Sequence, residues 1–204
     1  MLTIILTRHG QTEWNRVERF RGRVEVALND IGVAQAQATS RRIAATWQPA
    51  AVYTSPMDRA VKTGGIIAAP FGLEGQPLHE LNDLNFGEWQ GLTPPEVKAR
   101  WPELHDTWYR RPDLVHIPSG ETLYALQERV ARLFNRLILR HPDATVVLVG
   151  HECTNRVILL HTLGLPLRRY WNVEQGTCAI NVIQATADDF TVVSMNETYH
   201  LTVG

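Results

Sequence analysis

The sequence predicts an α/β domain built on a mostly parallel sheet, and three observations carry that expectation. Apolar runs without alternation, Ile4-Ile5-Leu6, Ala51-Val52-Tyr53-Thr54 and Thr145-Val146-Val147-Leu148-Val149, suit strands covered on both faces. Each run leads, directly or after a loop, into a helical pattern with capping or turn residues at its start. Arg8 and His9, Arg59, and His151 fall at or just beyond the ends of these runs, where ligands sit in open α/β sheets. With 204 residues and no Pro/Gly/Ser-rich stretch long enough to be a linker, the chain is expected to form a single domain over residues 1–204.

Taken in order, the first strand ends on Arg8-His9, and Gly10 permits a sharp turn. Residues 16–28 carry dispersed charges around Gly22 and read as a loop. Asn29 or Asp30 caps a long helix in which Ile31, Ala34, Ala38, Arg42 and Ala45 fall at helical spacing. After the strand 51–54, Ser55 caps a helix with Pro56 in its first turn, which places Arg59 at a second strand-to-helix junction. Residues 72–78 form a Gly- and Pro-bearing connection, and residues 81–93 a loop packed by its own aromatics, with Glu80, Asp83 and Glu88 as candidate acids. Thr93-Pro94-Pro95-Glu96 starts a short helix; residues 101–118, rich in aromatics and holding Arg110 and Arg111, suit a lid that shapes a pocket.

Ser119-Gly120-Glu121-Thr122 caps an amphipathic helix with Leu123, Leu126, Val130, Leu133, Leu137 and Ile138 on one face. The most strand-like run, 145–150, delivers His151 to the start of another helix, and residues 178–183 and 190–195 give two further strands.

Twenty basic and 21 acidic residues, with a formal net charge of -1, give no sign of nucleic acid or an anionic membrane as partner. Cys153 and Cys178 lack CxxC spacing and read as buried, reduced thiols, and no signal peptide precedes them, which sets a cytoplasmic expectation. No apolar run reaches the roughly 18 residues of a membrane span. His151-Glu152-Cys153-Thr154-Asn155 begins like HExxH but ends in asparagine, so no metal and no cofactor are expected. There is no dinucleotide or Walker motif.

The chemistry the strand ends suggest is anionic. A guanidinium grips two phosphate oxygens while a neighbouring imidazole attacks phosphorus. The run Thr7-Arg8-His9-Gly10-Gln11-Thr12-Glu13-Trp14-Asn15 resembles the signature of the histidine phosphatase superfamily, in the branch shared with phosphoglycerate mutases. Leu28-Asn29-Asp30-Ile31-Gly32, Ser55-Pro56-Met57-Asp58-Arg59-Ala60, Phe86-Gly87-Glu88-Trp89-Gln90-Gly91, Ser119-Gly120-Glu121-Thr122 and Val149-Gly150-His151 match further blocks of that family in its order. The resemblance implies a three-layer α/β/α sandwich with a mostly parallel central sheet and a single histidine phosphatase domain.

It also implies that His9 is the nucleophile of a phosphohistidine, and that Arg8, Arg59 and His151 hold the phosphoryl oxygens. Asn15 adds a hydrogen bond to phosphate. The general acid, usually a glutamate shortly before the Phe-Gly-x-Trp block, falls on Asp83, with Glu80 and Glu88 as rivals. Aspartate is shorter and more acidic, with a reference pKa of about 3.9 against about 4.3, so it has to be shifted upward to donate near neutrality.

Mutases of the family resemble longer chains with an extra segment in the region of residues 101–118. The expectation is therefore a metal-independent phosphomonoesterase of the histidine acid phosphatase type, acting on a small phosphorylated metabolite. A phosphoglycerate mutase and a non-catalytic phospholigand-binding module are the alternatives. Arg21, Arg110 and Arg111 are candidate substrate contacts. The sequence leaves the oligomeric state open, a homodimer included.

Overall fold

The computed structural model describes residues 1–202. Its elements follow the expected alternation. Strand β1 (Leu2–Arg8) leads through a four-residue helix α1 (Glu13–Arg16) and an irregular stretch into α2 (Asp30–Ala44), then β2 (Ala51–Thr54), α3 (Asp58–Ala68) and β3 (Gly75–Pro77). Helices α4 (Pro94–Arg100) and α5 (Pro102–Arg110) precede the long α6 (Leu123–Arg140). Strand β4 (Thr145–Gly150), α7 (Glu152–Thr162), β5 (Ile180–Ala185) and β6 (Phe190–Glu197) complete the order.

The six strands form one sheet in the order β3-β2-β4-β1-β5-β6. Strands β3, β2, β4 and β1 pair in parallel, and β1–β5 and β5–β6 pair antiparallel. Alternate residues of each central strand feed opposite cores. Ile4, Leu6, Tyr53 and Leu148 pack with α6 and α7, whereas Ile5, Val52, Val147 and Val149 pack with residues of α2 and α3. Unalternating apolar sequence is what a sheet covered on both faces requires, and the fold is the expected three-layer α/β/α sandwich with a mostly parallel sheet.

The local structure departs from the capping and apolar pattern of the sequence at four points. Helix α3 begins at Asp58 with Met57 as its cap. Ser55 instead prolongs the strand, its N–H donating to Val149 O at 2.9 Å, and its hydroxyl accepts from Met57 N at 3.3 Å. The stripe through Ile31, Ala34 and Ala38 is not the buried face of α2, which is made by Gly32, Ala36, Thr39, Ser40 and Ile43. On that face Gly32 lies against the Gln11 backbone. The connection 72–78 contains the edge strand β3, where Pro77 is tolerated because the edge needs no ladder from it. Finally, β5 starts at Ile180, because Cys178 has a left-handed φ of 55°.

The aromatics of residues 81–93 pack beyond their own loop. Phe86 and Trp89 meet Phe20 and the Trp108 ring of α5. Both cysteines are buried free thiols. No helix among the described residues is long and apolar enough to cross a membrane.

Candidate active site

Adjacent parallel strands explain why two histidines 142 positions apart in sequence meet. β1 and β4 pair with Arg8 opposite Gly150, so His9 and His151 leave the same sheet edge side by side, ring centroids 5.1 Å apart. The turn after His9 is clamped by glycines. A Cβ on Gly10 would lie 2.3 Å from Gly32 O, and one on Gly32 would lie 2.2 Å from Gln11 O. The loop therefore rests backbone on backbone against the start of α2, and Gly10 N donates to Thr63 Oγ1 on α3 at 3.1 Å.

His9 is buried, and its Nδ1 lies 2.7 Å from Gly10 O. A carbonyl only accepts, so Nδ1 carries the proton and the lone pair sits on Nε2. Burial first, then the Arg59, Arg8 and Arg21 guanidinium groups, hold the His9 pKa well below the ordinary imidazole range. The ring is therefore neutral at neutral pH. His151 is likewise neutral, its pKa depressed by burial and then by Arg59 and His9. Among the described residues neither of its ring nitrogens makes a hydrogen bond.

Arg59 is fully buried, donating to Val24 O at 2.8 Å and Gly22 O at 2.7 Å, so it anchors the irregular loop over the crevice. Arg8 donates to Gln175 O at 2.7 Å and pairs with Glu152 at 3.0 Å. Arg21 donates to Trp14 O and stands 3.5 Å from the same carboxylate. Glu152 also pairs with Arg156 at 2.9 Å. Burial raises its pKa, but Arg8, Arg156 and Arg21 outweigh that and keep it ionised. Arg8, Arg59 and Arg21 thus crowd one crevice with a single fixed counter-charge beside Arg8 and Arg21.

Asp83 completes the cluster. Its Oδ1 accepts from Leu84 N at 3.0 Å, and its Oδ2 lies 4.0 Å from Arg59 Nη2 and 3.9 Å from His151 Nδ1. Burial raises its pKa against the opposing pull of Arg59 and Arg21, which is the shift a shorter acid needs. The rivals lie elsewhere: Glu80 pairs with Arg136 at 2.8 Å, and Glu88 is exposed. Because the folded state raises this pKa, the neutral carboxyl costs nothing at low pH, and the ionised one weakens the fold as pH rises through the folded value. Asp83→Asn is therefore expected to melt at a higher temperature than the parent above neutrality. That gain should vanish as pH falls toward the unfolded value, in thermal denaturation across pH.

The backbone of the Asp83 loop is held by a buried ion pair. Arg129 grips Glu121 with two hydrogen bonds, at 2.8 and 3.1 Å, and donates to Glu80 O at 2.6 Å and Asp83 O at 3.1 Å. Arg23 adds contacts to Glu121 at 3.3 Å and to Asp83 O at 3.4 Å. Glu121→Ala strands a buried guanidinium and is expected to lower unfolding free energy by about 3 kcal/mol, measured by denaturant titration.

A cavity of about 380 Å³ is lined by Arg8, Asn15, Arg21, Asp83 and Glu152 and walled by Phe20, Phe86, Trp108, Tyr109, Tyr170 and Trp171, and His9, Arg59 and His151 are buried behind that lining rather than part of it. Asn15 is at the cavity, but its Oδ1 accepts from Thr12 N and Oγ1, both at 2.9 Å, so only its amide N–H groups face a ligand. Arg110 and Arg111 do not line the cavity; both are exposed, and Arg111 pairs with Asp113 at 2.9 Å. Sequence reasoning missed Glu152, Gln175 and Thr63 as supports. The only available signal was the excess of arginine, which demands an acid in the same crevice.

The model of the histidine phosphatase superfamily (branch 1) matches residues 4–198, and the chain belongs to that superfamily. It is 28% identical over 201 residues to phosphoserine phosphatase 1 of Hydrogenobacter thermophilus, covering 98% of this chain and 95% of that one. It is 31% identical over 199 residues to the bifunctional protein Rv2228c of Mycobacterium tuberculosis, covering 97% of this chain but 54% of that relative. Among solved structures, YhfR of Bacillus stearothermophilus superposes with a TM-score of 0.93 at 26% identity, covering 98% of this chain and 100% of that one.

Proposed function

We propose that this chain is a metal-independent phosphomonoesterase that hydrolyses a small phosphorylated metabolite through a phosphohistidine on His9. A phosphatase of the histidine phosphatase superfamily is the reading that the family and its phosphatase-named relatives support. The single observation that carries the finer reading is the state of His9: neutral, with Nδ1 fixed on Gly10 O and the Nε2 lone pair free, among Arg8, Arg59 and His151.

In the first half-reaction, the Nε2 lone pair attacks phosphorus as the ester P–O bond breaks, and Asp83 gives its proton to the departing alkoxide. The arginines stabilise charge on the equatorial oxygens. In the second, the Asp83 carboxylate takes a proton from water as that water attacks phosphorus; the P–N bond breaks, freeing phosphate and neutral His9. Positive charge is supplied by guanidinium groups throughout, which supports independence from a divalent metal. The exposed, paired position of Arg111 supports hydrolysis over a mutase reading.

The test is phosphate release from an aryl phosphate in excess chelator, with rapid quenching and mass spectrometry of the His9 peptide. Turnover that survives chelation and an acid-labile phosphate on His9 are the expected results. Loss of activity on chelation sinks the metal-independent reading, and turnover without label on His9 sinks the phosphohistidine.

A further inference from the structure

A second cavity, of about 550 Å³, shares no lining residue with the first. Arg23, Arg129, Arg132 and Arg136 line it against one lining acid, Glu80, with Glu121 behind them paired to Arg129 and Arg23. In a chain of formal net charge -1, that is a local concentration of positive charge with the volume of a small-molecule site. Three of the arginines stand at positions i, i+3 and i+7 of α6, so a single helix face holds them in a row. Among the described residues the exposed Arg132 makes no ion pair and Arg136 pairs with Glu80 alone.

The wall between the cavities is the Asp83 loop itself. Asp83 faces the catalytic cavity while its neighbour Asn82 lines the second. Two arginines of the second cavity, Arg129 and Arg23, donate to the Asp83 carbonyl.

We propose that this cavity is a second anion site, taking a small polyphosphate or bisphosphate ligand, and that its occupation disturbs the positioning of Asp83. A ligand with two adjacent phosphate groups engages Arg132 and Arg136 and competes with Asp83 O and Glu121 for Arg23 and Arg129. The coupling half rests on Asp83 as the general acid; the binding half does not.

The probe is methylenebisphosphonate, whose P–C–P bridge resists hydrolysis, titrated calorimetrically into the whole protein with orthovanadate blocking the catalytic crevice. One binding event is expected in the parent. It should weaken about tenfold or more in Arg132→Gln/Arg136→Gln, through loss of charge-assisted hydrogen bonds. A control of equal charge change on exposed α2 and α3 positions, Arg41→Gln/Lys62→Gln, should bind as the parent does.

Absence of binding, or equal weakening in the control, overturns the site. At saturating aryl phosphate, where competition at the catalytic crevice is relieved, the probe should lower kcat about fivefold in the parent and not in Arg132→Gln/Arg136→Gln. An unchanged kcat with binding intact overturns the coupling. Because binding is read without turnover, a failed phosphatase reading would appear as absent basal activity in every variant, with the second site unaffected.

Discussion

His9→Ala loses turnover of phosphate monoesters by about four orders of magnitude or more, the scale on which removing a covalent nucleophile acts. The reason is local. Nε2 of His9 carries the only lone pair that the cluster both keeps unprotonated and fixes in direction, through Nδ1–H on Gly10 O. His151 is equally neutral but makes no hydrogen bond among the described residues to orient its ring. Arg8 and Arg59 remain held by Gln175 O, Val24 O and Gly22 O, so the alanine variant should still bind inorganic phosphate. Steady-state kinetics beside calorimetry with phosphate separates the two effects. An alanine variant that keeps a tenth of the activity would mean that water attacks the ester directly, and the phosphohistidine mechanism would fail.

Asp83→Asn has the second largest effect, and it depends on the leaving group. For alkyl phosphates, whose alkoxide needs a proton as it departs, kcat should fall by about two to four orders of magnitude. For dinitrophenyl phosphate, whose leaving group departs as a stable anion, the fall should be small in the first half-reaction. The pH profile carries the same information. In the proposed mechanism the reactive state has His9 unprotonated and Asp83 protonated. Burial, helped by Arg59 and Arg8, lowers the first pKa, so the acid limb lies well under the ordinary imidazole range. Burial raises the second against Arg59 and Arg21, so the alkaline limb lies above the ordinary aspartate value. In Asp83→Asn the alkaline limb should disappear while the acid limb stays. Equal losses for both leaving groups in the single-turnover rate of phosphoenzyme formation would assign the proton to another group.

Much of this site was legible because its chemistry sits at strand ends. Strands β2 and β4 match the expected limits residue for residue, since a short unalternating apolar run rich in β-branched residues suits a doubly covered sheet. Arg8, His9, Arg59 and His151 converge as the parallel edge requires. Asp83 was reached through family resemblance, and its position opposite Arg59 and His151 separates it from Glu80 and Glu88. Glu152 was overlooked: an acid in the first turn of a helix ordinarily signifies only a favourable dipole contact.

Residue order alone carries the alternation of strands and helices, the helix starts at Asn29 or Asp30, at Thr93 and within residues 119–122, which the structure narrows to Asn29, Thr93 and Thr122, and the family to which the chain belongs. These depend on local pattern: apolar periodicity, side-chain oxygens within reach of the next turn, and a contiguous signature around His9. Tertiary structure alone decided which face α2 buries, what Arg8 and Arg59 hold, and how Asp83 acquires its raised pKa. It also decided that Arg129 and Glu121, whose loop contacts join residues 36 to 49 positions apart in the chain, hold the acid's backbone. Burial and charge are sums over neighbours from every part of the chain. A single position carries its own chemistry, whereas its pKa and its partners belong to the packed assembly.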